Sequence, residues 1–107
     1  MLKLVTEALA AEDGQAGRAY KIRAHGEIDP STAPLLQQTL TELIDAGATI
    51  VILDASGIDF MDSSGLRVII TGGSRLAENG GKLLIEGMSG AMQRVLEVSG
   101  MIDQYRA

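Results

Sequence analysis

Polar and apolar residues alternate along two early stretches of the chain and recur at helical spacing later, so it reads as a hairpin followed by alternating helices and strands. Leu2 and Leu4 flank Lys3, predicting a first strand over residues 2–8. Glu12 to Gly17 is polar and carries two glycines, the chemistry of a turn. Tyr20, Ile22 and Ala24 then alternate with Lys21, Arg23 and His25, predicting a half-exposed second strand, hairpin-paired with the first, in which His25 is an ordinary exposed residue. Gly26 to Asp29 ends that strand. Asp29-Pro30 reads as an N-cap followed by proline at the first helical position. The helix predicted from there through Ala46 buries Ala33, Leu36, Leu40, Leu43 and Ile44 and stops at Gly47.

Ile50 to Leu53 is a β-branched aliphatic run, too short for a helix, which predicts a strand covered on both faces. Ala55 to Phe60 reads as a short acidic loop. From Ser64 onward Leu66, Ile69, Ile70, Leu76 and Ala77 mark one buried helical face, capped by Asp62 or Ser63. Gly72 and Gly73 interrupt that helix at roughly 1 kcal/mol each relative to alanine, implying a close neighbour or a bend. Asn79-Gly80-Gly81 ends it, Lys82 to Glu86 is a fourth strand, and Ser89 caps a last helix carrying Met92, Val95 and Leu96 and closed by Gly100. The tail from Met101 is expected to end in a strand fragment. The succession predicts an α/β layered fold with a mixed sheet of four to five strands and three to four helices.

A chain of 107 residues suits one domain spanning 1–107 without a linker. The net charge of −5 argues against nucleic acid and anionic membrane as partners, which need clustered Lys and Arg, and favours a protein partner. Without cysteine there is no disulfide, zinc-thiolate site or cysteine nucleophile. Neither a secretory leader nor an apolar run near the ~20 residues of a membrane span is visible, so a cytoplasmic location is expected.

Candidate chemistry concentrates between Asp54 and Leu66. A helix N-terminus offers free N–H donors and about half a positive charge, so a phosphate on a first-turn serine fits there. Asp54, Asp59 and Asp62 lie close by in sequence, and adding about −1.5 to −2 charges beside them is an electrostatic switch. Local physics by itself favours a plain N-cap role for Ser63. A serine hydrolase is disfavoured, because the G-x-S-x-G elbow is absent and His25 is the single histidine. Gly80-Gly81-Lys82 is not a Walker loop, since Leu76 and Leu83 stand where glycine and Ser/Thr belong. A receiver-type phosphoacceptor at Asp54 lacks the acidic pair at the end of the first strand, and solvated acids are favoured over a metal site.

The segment Asp54 to Leu66, with its Asp62-Ser63-Ser64-Gly65-Leu66 element after a strand, resembles the signature of STAS domains, the anti-sigma factor antagonists of bacterial partner-switching pathways. Gly26 to Asp29, Gly81 to Leu84 and Met92 to Gly100 are similar to further family segments, so the resemblance covers roughly 18–102. It implies a non-enzymatic regulator of transcription, in stress response for example, with Ser63 as phosphoacceptor. Unphosphorylated, such a domain binds a serine-kinase anti-sigma factor. Phosphorylation releases it, and a serine phosphatase resets it. The ATP and metal belong to those partners, and this chain needs no cofactor. Asp29, Asp59, Asp62, Ser64, Gly65 and Arg67 are the expected contact residues, with Gly65 allowing close approach, on a monomer or weak dimer. Arg67 departs from the small residue common there, and the loop over 10–17 is longer than in the shortest members. The alternative is a scaffold or sensor subunit that is never phosphorylated.

Overall fold

The computed structural model describes residues 1–9, 18–100 and 102–105. Its elements are β1 (Leu2–Leu9), β2 (Arg18–Ile28), α1 (Ala33–Asp45), β3 (Ala48–Met61), α2 (Ser63–Glu78), β4 (Lys82–Glu86), α3 (Gly90–Ser99) and the single turn α4 (Ile102–Tyr105). The sheet has four strands in chain order. β1 and β2 pair antiparallel from Leu2 opposite Gly26 to Leu9 opposite Ala19, while α1 and α2 carry the chain between the parallel pairs β2–β3 and β3–β4. The mixed sheet, the hairpin and the alternation of helix and strand are as the sequence predicts. The turn expected at Glu12 to Gly17 and the loop over 10–17 lie outside the described residues.

One sheet face packs against helices. Ile22, Ala24 and Ile28 of β2, Val51, Leu53, Ala55, Ile58 and Met61 of β3, and Leu83 and Ile85 of β4 are buried there with Leu36 and Leu40 of α1, Ile69 and Leu76 of α2, and Met92 and Leu96 of α3. The other face is open, contrary to the two-sided cover expected for β3: Ile50 and Ile52 remain partly exposed. Ion pairs span that face. Arg23 of β2 reaches Glu7 of β1 at 3.0 Å, and Lys21 of β2 crosses β3 to Glu86 of β4 at 2.7 Å. The lysine stem thereby passes the level of Ile52, its partner in register.

Three boundaries move from where the sequence places them. β3 does not stop at Asp54, because the presumed acidic loop is strand that continues to pair with β2 as far as Met61 opposite Ile28. Its buried positions follow the two-residue period through Val51, Leu53 and Ala55, then jump by three to Ile58 and Met61. The jumps mark register shifts, at which the extra residue of a bulge rotates the following side chains to the opposite face. β2 likewise runs through Gly26, whose φ of 117° and contact with the Met1 carbonyl leave no room for a side chain.

Asp29-Pro30 is not the N-cap pair of α1. Its helix opens at Ala33 after Thr32, with Pro34 in the first turn, and Asp29 instead caps the preceding turn by accepting from the backbone N–H of Ser31 and Thr32. Finally, the tail forms α4 rather than a strand fragment, and Tyr105 is buried.

α2 also differs in detail from its predicted stripe. Gly65, Val68, Ile69, Gly72 and Leu76 are buried, whereas Leu66 and Ile70 are partly covered and Ala77 is exposed. The two interior glycines are explained by neighbours on two sides. A Cβ on Gly72 would lie 3.0 Å from Leu40 Cδ1, and one on Gly73 would lie 2.9 Å from Tyr105 Cε1.

Candidate functional site

The ends of β2 and β3 meet the start of α2. Asp62 donates its backbone N–H to the Ile28 carbonyl at 3.2 Å, which ties the Asp29 turn to the residue that caps α2. The Asp62 carboxylate accepts from the Ser64 N–H at 2.9 Å and from the Ser64 hydroxyl, the arrangement of a helix N-cap with both acceptor bonds directed to one residue. Asp62, rather than Ser63, is therefore the cap.

This settles the positions of two adjacent hydroxyls. Ser64 is half-buried and its hydroxyl is spent on Asp62. Ser63, the first residue of α2, is exposed, and among the described residues its hydroxyl makes no hydrogen bond. Gly65 follows and is buried, because a Cβ there would stand 2.6 Å from Met61 Cγ and 2.7 Å from Ile28 Cγ2. The close approach that Gly65 allows is thus between α2 and the chain's own β2 and β3 ends, not between a partner and the surface.

Ser63 stands on a ridge between two grooves. One, of about 420 Å³, runs between α1 and α2 past Pro30, Pro34, Gln37, Arg67 and Thr71. The other, of about 390 Å³, runs between α2 and α3 and is almost wholly apolar, lined by Leu66, Val95 and Val98 together with Arg94. The α3 residues at the site are not among those the sequence points to; Val98 falls off the Met92–Leu96 stripe and is 85% exposed.

The acids assembled by sequence proximity are not assembled in space. Asp54 lies on the open sheet face, opposite Arg23 in the register, with seven residues between it and the cap, about 25 Å of strand at most. Its carboxylate accepts from the Ser56 hydroxyl at 2.8 Å and the Ser56 N–H at 3.1 Å, and these bonds, helped by Lys21 and Arg23, hold it below the usual carboxylate range. Asp59 is exposed in β3 at the register shift between Ile58 and Phe60, three residues before Asp62. Asp29 is also held below the usual range, mainly by the Ser31 hydroxyl at 2.6 Å and then by the N–H groups of Ser31 and Thr32. No cluster of three or more metal-ligating side chains exists among the described residues, and no helix among them is long and apolar enough to cross a membrane. Arg67 is exposed one helical turn after Ser63, and His25 is exposed on β2, opposite Gly57 of β3 in the register.

No curated protein sequence matches the chain. Among solved structures, the anti-sigma factor antagonist SpoIIAA in its unphosphorylated form is similar with a TM-score of 0.76 and 20% identity over 96% of this chain and 86% of that one. The phosphorylated form of SpoIIAA, a Bacillus cell fate determinant, gives 0.70 and 19% over 96% and 89%. A putative anti-sigma factor antagonist from Thermotoga maritima gives 0.78 and 18% over 94% and 82%. The fold also occurs in transport proteins: the STAS domain of a SulP transporter from Vibrio cholerae gives 0.56 and 21% over 76% and 62%. Residues 11–103 match the family described as "Mlab, STAS domain", which is most of the chain, and the protein belongs to the STAS domain family.

Proposed function

We propose that this protein is an anti-sigma factor antagonist, a cytoplasmic partner-switching regulator without catalytic activity of its own. In its unphosphorylated form the surface around Ser63, with Asp29, Asp59, Asp62, Ser64 and Arg67 as its polar members, binds a serine-kinase anti-sigma factor. The kinase transfers the γ-phosphoryl group of its ATP to Ser63 Oγ, the hydroxyl proton is lost, and ADP leaves. A serine phosphatase later returns the hydroxyl. Gly65 serves the site from beneath, by seating the start of α2 against Met61 and Ile28.

The observation that carries this reading is the contrast between Ser63 and Ser64. One hydroxyl is engaged by the cap, and the other is exposed and uncommitted at the first position of the helix. A phosphate of about −1.5 to −2 charges at Ser63 falls beside the Asp62 carboxylate and inside the contact, where like-charge juxtaposition costs several kcal/mol and each 1.4 kcal/mol is about tenfold in affinity. The likeness to SpoIIAA, a protein solved in both unphosphorylated and phosphorylated forms, supports the same reading.

The test is binding to the partner kinase by calorimetry with two variants. Ser63→Asp is expected to bind at least about tenfold more weakly with an unchanged circular dichroism spectrum. Ser63→Ala is expected to bind normally and accept no label from radioactive ATP. Equal affinities for wild type and Ser63→Asp contradict the switch, and label on Ser63→Ala moves the modified residue elsewhere. A second reading, a scaffold or sensor subunit that is never phosphorylated, draws on the exposed Val98 beside an apolar groove, a surface suited to a standing complex. A size-exclusion mass well above that of a dimer would favour it.

A further inference from the structure

Around Ser63 the two capping acids are engaged, Asp59 stands exposed in β3, and the nearby bases are uncommitted. Asp62 is bonded to Ser64, and Asp29 is bonded to Ser31 and Thr32. Elsewhere on the molecule, Arg23 pairs with Glu7, Arg75 with Asp45 and Lys21 with Glu86, while Arg18 donates to the Ala46 carbonyl. Arg67 and Arg94 differ: among the described residues neither has an ion pair or a hydrogen bond. Each lines one of the two grooves that share Ser63, so the two free guanidinium groups flank a single hydroxyl. In a chain with 14 acidic side chains against nine basic ones, such a pair left without carboxylates calls for an anion of another kind.

We propose that Arg67 and Arg94 form a clamp that holds the phosphate carried by Ser63. Arg67 reaches it along its own helix, four residues on, the spacing and order at which an anion and a cation on a helix attract. Arg94 reaches it from α3, across the mouth of the α2–α3 groove. Guanidinium suits the task because its planar donors meet phosphate oxygens in pairs. Phosphorylation then changes the contact surface twice over: it adds a dianion, and it draws Arg94 across the apolar groove formed by Leu66, Val95 and Val98. This inference rests on phosphorylation of Ser63, and it assigns the receptor for that phosphate.

The experiment installs phosphoserine at position 63 during translation, without any kinase, and follows the phosphate by ³¹P NMR as pH is varied at low salt. A phosphoserine ordinarily loses its second proton near pH 6. Nearby cations favour the dianion and lower that midpoint, whereas Asp62, the carboxylate beside it, raises it. The wild-type midpoint is expected below that of the double variant Arg67→Gln/Arg94→Gln, and each single substitution is expected to raise it by roughly half a pH unit. A midpoint indifferent to either arginine overturns the clamp. Failure of the switch itself would show separately, as phosphorylated and unmodified proteins binding the kinase equally well.

Discussion

At the scale of single residues, function depends on which atoms are free. Asp62 holds Ser64 and thereby leaves Ser63 as the exposed hydroxyl, so the cap selects the serine that can be modified. Asp62→Ala removes the cap, and we expect it to lower stability by about 1 kcal/mol in chemical denaturation while freeing the Ser64 hydroxyl. Gly65 is the second such residue. The sequence suggests a glycine that lets a partner approach, but the Cβ of Gly65→Ala would meet Met61 and Ile28 inside the chain at 2.6 and 2.7 Å. We expect Gly65→Ala to cost about 1–3 kcal/mol of stability, from overpacking, before it affects any partner. A denaturation midpoint equal to wild type would contradict that placement.

Asp54 gives a prediction with a defined sign. Its folded-state pKa is depressed below the ordinary 3.8, first by the Ser56 hydroxyl and then by the Ser56 N–H. A depressed carboxylate contributes stability that is complete above the unfolded value and is lost as pH falls through the folded one. Ser56→Ala removes the larger cause, so we expect the Asp54 carboxyl resonance to titrate at higher pH in NMR and the loss of stability below about pH 4 to become shallower. An unmoved Asp54 midpoint would contradict the assignment.

At the scale of elements, the regular periods were legible and the irregular ones were not. β1, the first part of β2, β4 and α3 follow from alternation, i+3/i+4 spacing and the Ser89 and Gly100 caps, and they stand where those signals place them. The second half of β3 was illegible because Ser56, Gly57 and Asp59 are poor strand formers, and its bulges break the two-residue period on which a strand is recognised. Asp29-Pro30 misled for a related reason: aspartate caps turns and helices by the same bonds, so only the observed acceptors tell them apart. In the candidate site, the Asp62–Ser63–Ser64 element was readable because it is contiguous. The α3 contribution, Arg94 and Val98, was not, because sequence gives no sign of which later helix packs beside α2.

The Gly72–Gly73 pair shows what a local rule can and cannot decide. Helix propensity signals an anomaly there, and the tertiary neighbours Leu40 and Tyr105 supply its reason. We expect Tyr105→Ala to destabilise the fold by about 3–5 kcal/mol through loss of a buried aromatic side chain on the back of α2. Unfolding measured by fluorescence-independent circular dichroism checks this, and a loss below about 1 kcal/mol would mean α4 contributes little.

At the scale of the whole molecule, function is separated from the sheet. The charges of the open face pair among themselves, Glu7 of β1 with Arg23 of β2 and, across β3, Lys21 of β2 with Glu86 of β4. At the end of the sheet that carries Asp29, Asp62 and Ser63, those two acids are bonded within their own turns, while Arg67 and Arg94 have no partner among the described residues. A charge added at Ser63 therefore alters the surface that a partner meets without breaking a bond on which the fold depends. The central claim is that this charge is added and removed in the cell. Intact-mass and peptide mass spectrometry of the protein isolated from its own cells, with and without phosphatase treatment, tests it most directly. A phosphatase-sensitive phosphate is expected on the peptide containing Ser63, with Ser64 unmodified. A protein that carries no phosphate at Ser63 under any growth condition, while remaining in a stable complex, would contradict it.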